Sequence, residues 1–238
     1  HRAIDFFSNN EANLTKAVDH FRIDSSKYFL DNDQFIGFKL KSSDPLSFHY
    51  HAIRYLQDLM RFHSRDTDPS AYLDVDFKRL KFVYDKGAFE DRVRPYLKAL
   101  DRIINRYDRK EIIAEAKYWT ARFYSTLANR YKPTLSEEYR WHKKKAYRLC
   151  QEIIKIYPGT YGARNARNLM ANIRKIKLEL TLEQITIPDK PFRALLAYQN
   201  VDRVYFRLVE TNREELKQYR YKNRQKIVNH FLSRPVLK

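Results

Sequence analysis

The apolar residues of this chain change period near residue 178, and that change limits the folds open to it. Upstream they recur at helical spacing. From Leu178 to Pro188 they alternate with polar residues, so that Leu178, Leu180, Leu182, Ile185 and Ile187 fit one face of a strand. The slip between Leu182 and Ile185 predicts a bulge. Phe192–Tyr198 and Arg203–Val209 are further strand candidates, with hairpin connectors at Pro188–Pro191 and Asn200–Asp202. The expectation is a mainly α chain: a helical domain over residues 1–177, then an incomplete antiparallel β segment with a C-terminal helix over residues 178–238. Its open edge would be covered by sequence beyond Lys238.

Composition supports the helical part. Only 4 glycines and 8 prolines occur among 238 residues, while 43% are hydrophobic. That balance favours helices with a real core over a loop-rich β fold. No apolar run reaches the roughly 18 residues of a membrane span. The chain opens on His1 without a leader, which leaves secretion open because leaders are removed from mature proteins.

Two helix starts carry a capping carboxylate before proline, Asp44-Pro45 and Asp68-Pro69. Asp accepts from a free first-turn amide, and proline loses nothing there because its missing N–H has no helical partner. The spacing predicts helices over Pro45–His63 and Pro69–Tyr84. The first is apolar on two sides, with Leu46, Ile53, Leu56 and Met60 on one stripe and Phe48, Ala52, Tyr55, Leu59 and Phe62 on the other. Such a helix is sandwiched between neighbours. The second carries Leu73, Phe77, Leu80 and Tyr84 on one face. Before them, Ala3–Phe7 reads as a short helix and Leu14–Phe21 as a further turn or two. Tyr28–Leu40 has no decisive pattern.

A weak repeat follows at an offset of 50: Ile103, Ile104, Tyr107 and Ala116 match Ile153, Ile154, Tyr157 and Ala166. In each copy a helix ends on Tyr, a short turn follows, and a second helix carries small residues where two helices would cross. Antiparallel helical hairpins that stack to bury shared faces account for this. Ala146, Cys150, Ile153 and Pro158 resemble the end of a tetratricopeptide repeat.

Charge is unevenly spread. The net value is +18, and Arg140–Lys177 holds eleven Lys or Arg against Glu152 alone. Lys143, Lys144, Lys145, Arg148, Arg164, Arg167, Arg174 and Lys175 are candidate contacts for a polyanion or an acidic partner, with Tyr147 or Tyr161 available to stack on bases. The plainer alternative is a solvated outer face of helices.

Catalytic constellations are not evident: there is no glycine-rich phosphate loop, no Gly-x-Ser-x-Gly and no His-Glu-x-x-His. His49 and His51 diverge by about 160° on a helix, the wrong geometry for one metal ion. Asp74 and Asp76 have the same problem as a carboxylate pair. Asp31 and Asp33 lack the glycine and distal Glu of a calcium loop. The single Cys150 rules out an internal disulfide and sits on an apolar helical face, as a buried thiol would. The expectation is a non-enzyme without cofactor or metal.

Ile156–Leu169, Leu180–Phe192 and Tyr198–Arg207, together with His1–Phe7 and Asp74–Leu80, resemble the N-terminal helical region and first macroglobulin-type β-sandwich of Bacteroidetes alpha-2-macroglobulin-like proteins. The resemblance implies a secreted, periplasmic or cell-surface protease trap, of which this chain is the non-catalytic N-terminal scaffold. Its partners would then be the remaining macroglobulin domains and, through them, a target protease. The family's Cys-Gly-Glu-Gln thioester has no counterpart here, because Cys150 is followed by Gln151 and Glu152, so no functional residue carries over. The rival expectation is a basic helical-repeat protein that binds nucleic acid or another polyanion.

Overall fold

The computed structural model describes residues 2–9, 20–44, 46–132, 134–183, 185, 187, 190–219 and 223–236. The chain forms two compact units, residues 1–173 and 174–238. The described residues are mainly helical, with one small antiparallel sheet.

The first unit begins with the short helix α1 (Arg2–Phe7) and a lead-in that contains a 3-10 turn (Ser26–Phe29) and α2 (Asn32–Gly37). The expected turn at Leu14–Phe21 falls almost wholly outside the described residues. Where the sequence pattern was silent, the lead-in is held by side chains from distant helices. In α3 (Phe48–His63), Gln57 donates to the carbonyls of Phe35 and Phe38 at 2.7 and 2.8 Å. In α4 (Ser70–Lys86), Arg79 donates to the carbonyls of Tyr28 and Leu30 at 3.0 Å each and to Asn32 Oδ1 at 3.3 Å. Arg79 also pairs with Asp76 at 2.7 Å, and both side chains are almost fully buried. The guanidinium therefore meets a carboxylate and three further acceptors, the full satisfaction a buried charge requires.

The helix starts divide. Asp68 accepts from the Ser70 amide at 3.1 Å, as its position before Pro69 implied. The other start shifts: α3 begins at Phe48, with Ser47 Oγ accepting from the Tyr50 amide at 3.3 Å. Asp44 instead accepts from Leu46 at 3.0 Å in the preceding turn. Pro45 is outside the described residues. The competing signal is Ser47 itself, a good cap three residues downstream. Ala52, Ile53, Leu56 and Met60 of α3 are buried. On its other side Phe7 of α1 stacks on Tyr55 at 5.6 Å and meets Phe48 edge-on at 5.3 Å. Leu46 and Phe62 stay exposed, so the sandwich covers only part of the helix. In α4, Tyr72, Val75, Phe82 and Val83 are buried beside the expected stripe, which makes it a central helix.

The unit continues with α5 (Val93–Arg106), α6 (Lys110–Ala128), α7 (His142–Ile156) and α8 (Tyr161–Arg174), in which α6 packs against both α5 and α7. The repeat-matched residues Ile103 and Ile153 are buried, as are Ala116 and Ala166. Tyr107 and Tyr157 close their helices by donating to Ile103 and Ile153 carbonyls at 3.4 and 2.9 Å. Ala114 and Ala121 of α6, Cys150 and Ile153 of α7, and Ala163 and Ala166 of α8 form one apolar cluster. Small residues let these helices close up: a Cβ added to Gly162 would lie 2.5 Å from the Ala114 carbonyl carbon and oxygen.

In the second unit, β1 (Lys177–Leu182) and β2 (Ala194–Gln199) form an antiparallel ribbon. The register pairs Leu178 with Tyr198, Leu180 with Leu196 and Leu182 with Ala194, which puts all six on one face. That face is largely open; Leu180 is 46% exposed. The expected bulge falls partly outside the described residues; β1 ends at Leu182, and Ile185 is 86% exposed. The expected strand Arg203–Val209 does not form either. Asn200 turns the chain with φ of 55°, and Arg207 then donates to the Leu232 carbonyl at 2.9 Å. The segment is tied by a side chain to α10 (Arg224–Leu232) instead of joining the ladder. Glu215 of α9 (Arg213–Tyr219) gathers His230 at 2.6 Å and Thr211 at 2.9 Å, and it pairs with Arg234.

Candidate polyanion-binding face

α7 opens on Trp141 without a side-chain cap and carries Lys143, Lys144 and Lys145 in its first turn, with no acid there. Cations at a helix N-terminus oppose the helix dipole and the free amides. This end of α7 is therefore strongly electropositive. Further along, Arg148 and Lys155 are exposed and Lys143 is half-buried. Among the described residues no carboxylate pairs with Lys144, Arg148 or Lys155. Glu152, the lone acid of the α7–α8 hairpin, is bound to Lys117 of α6.

On α8, Arg164 and Arg167 are exposed. Arg164 lies 5.9 Å from the Tyr161 ring, and Arg167 donates to the Pro158 carbonyl at 3.0 Å. Arg174 ends α8 and Lys175 follows it, but both fall in the second unit. The eight candidate cations thus divide: Lys143, Lys144, Lys145, Arg148, Arg164 and Arg167 share the first unit.

Two residues outside the candidate set belong with these cations. Trp141 is 58% exposed, with the Arg140 guanidinium 5.0 Å and the Lys144 ammonium 5.6 Å from its ring. The run Arg140-Trp-His-Lys-Lys-Lys145, an aromatic ring bracketed by cations, was the available signal. Lys155 lies seven residues after Arg148, so two helical turns bring it onto the same stripe. Tyr147 is half-buried, whereas Tyr161 is 59% exposed.

The other candidate chemistries are absorbed by structure. Asp31 Oδ1 accepts from the first amide of α2 at 2.6 Å and pairs with Arg106 at 3.2 Å. Asp76 is buried against Arg79, while Asp74 is exposed. His49 packs edge-on against Phe82 and His51 lies tilted on Phe7, rings from two different helices. No group of three or more His, Cys, Asp or Glu side chains suited to a metal ion occurs among the described residues. Burial pushes the Cys150 thiol up to about 11, which removes its thiolate at neutral pH. A cleft of about 410 Å³ beside Arg79 is lined by Asp31, Asp33, Asp76, Arg102 and Arg106, and two of its acids are held by its arginines, Asp76 by Arg79 and Asp31 by Arg106. No helix of the described residues is long and apolar enough to cross a membrane. No family model, curated protein or solved structure matches this chain.

Proposed function

We propose that the chain is a non-catalytic scaffold and interaction region, the N-terminal part of an alpha-2-macroglobulin-like protease trap of the periplasm or cell surface. The open apolar face of the β1–β2 ribbon carries this reading. Leu178, Leu180, Leu182, Leu196 and Tyr198 line one side of a two-stranded sheet, the surface that a β-sandwich presents to a facing sheet. A two-stranded ribbon is marginal alone in water and gains stability when further strands cover it. The tetratricopeptide-like ordering of α5 to α8 belongs to the same proposal. Hydrogen exchange tests it: in a chain continued past Lys238, the β1 and β2 amides become strongly protected, and the full-length protein retains a protease that has cut it. A continued chain whose ribbon amides exchange as fast as those of the 238-residue chain would refute the reading.

A second reading rests on a separate observation, the exposed cations Lys144, Arg148 and Lys155 of α7, which have no carboxylate partner among the described residues. It makes the helical unit a polyanion-binding module. Filter binding at two salt concentrations tests it, since phosphate or sulfate contacts give a steep salt slope. Binding that vanishes at physiological salt would reduce the patch to a solvated face.

A further inference from the structure

We infer that the outer stripe of α7 is a track for single-stranded nucleic acid, with a base stacked on Trp141 and phosphates paired to Lys144, Arg148 and Lys155. This deepens the second reading and rests on it.

The helical geometry comes first. At about 100° per residue, Lys144, Arg148, Gln151 and Lys155 fall within a sector of roughly 60°, and the rise places the three cations along about 16 Å. All four side chains are exposed. A row of this kind follows a linear polyanion; a single small anion would need the cations to converge. With Glu152 held by Lys117, no free carboxylate of the hairpin competes for the row.

Trp141 then selects among polyanions. An indole that is 58% exposed and flanked by Arg140 and Lys144 offers a π-face beside cations. A stacking base displaces one of these cations, which moves to the adjoining phosphate. Tyr161, beyond the other end of α7, is 59% exposed beside Arg164 and supplies a second ring of the same kind. Base stacking of this sort needs unpaired bases, because a duplex hides their faces. A sulfated polysaccharide or an acidic polypeptide has no base to place on the indole.

The test is fluorescence anisotropy with a labelled mixed-pyrimidine oligonucleotide, with heparin, polyglutamate and the matching duplex as competitors. Three phosphate contacts predict a log–log salt slope of about −2 or steeper. Lys144→Ala/Arg148→Ala/Lys155→Ala should flatten that slope by about 2, with the fold checked by circular dichroism. Loss of one stacked base in Trp141→Ala should weaken oligonucleotide binding about tenfold and leave heparin binding unchanged. Indole quenching on binding should disappear in Trp141→Phe while affinity is largely kept. If heparin or polyglutamate binds as tightly as the oligonucleotide and Trp141→Ala alters nothing, the polyanion reading stands and the nucleic-acid track falls. If the duplex competes as well as the single strand, stacking is refuted. If no polyanion binds at physiological salt, both readings fall.

Discussion

The two units of this chain use apolar residues in opposite ways. In the first, Phe35, Ile53, Leu56, Leu80, Leu100 and Leu127 are fully buried around a continuous core. In the second, Leu178, Leu180, Leu182, Leu195 and Tyr198 belong to regular strands yet remain about half exposed or more. Regular secondary structure and burial are therefore separate achievements. A helix with a neighbour on each side gets both, whereas a two-stranded ribbon satisfies part of its backbone and leaves its side chains in water.

The largest expected break in this contrast is Arg79→Ala. It strands the Asp76 carboxylate in the core and removes bonds to Tyr28, Leu30 and Asn32, so urea unfolding of the first unit should lose about 3–5 kcal/mol. Leu100→Ala should cost about 2–5 kcal/mol by the same measurement, while Leu180→Asp should stay within about 0.5 kcal/mol. A large loss for Leu180→Asp would mean that the ribbon face is covered after all. Gly162→Ala should cost about 1–3 kcal/mol by driving a methyl into the α6 backbone, whereas Gly159→Ala, with open space around it, should be near neutral.

Smaller effects sharpen the comparison through pH. Burial raises the Glu115 pKa, and Asp74 adds to the rise while Trp119 opposes it. A raised carboxyl contributes most stability below its unfolded value and loses it as pH rises through the folded value. Glu115→Gln should therefore stabilise the first unit at neutral pH, by less than about 1 kcal/mol after solvent screening, and the gain should vanish in acid. Glu215 has the opposite sign. Its hydrogen bond to His230 holds it below the usual range, with Thr211 and Arg234 adding and desolvation opposing. Its contribution is present above the unfolded value and is lost as pH falls through the folded one. Acid titration followed by NMR should thus loosen α9 and α10 while relieving Glu115. Cys150 should resist a thiol reagent until the first unit unfolds.

Local chemistry was the legible part of the sequence. Asp68 reaches the first amide of α4 because that amide is only two residues away, and the repeat is legible in that Ile103 and Ile153 are both buried. The alternation from Leu178 forms a strand as far as Leu182, whereas Arg203–Val209 joins no strand. Alternation specifies which face a residue takes and supplies no neighbouring strand, and Arg207 found a helix-end carbonyl first. At the basic face, charge was countable in advance. Which cations share a stripe depends on α7 running unbroken from His142 to Ile156, and the boundary after Ile173 puts Arg174 and Lys175 in the other unit.

The lead-in was illegible because its order is written elsewhere in the chain. Its carbonyls wait for Gln57, Arg79 and Arg102, the last lying 73 residues after the Phe29 carbonyl it binds. On a ribosome adding about 5–20 residues per second, that interval is roughly 4–15 s. During it, Phe21 and Phe35 gain Tyr50, Gln57 and Arg79 only one helix at a time, and Phe29 waits longest, for Tyr96 and Arg102. The nascent chain is thus most vulnerable to misassociation early in synthesis, at the segment that ends up among its best buried.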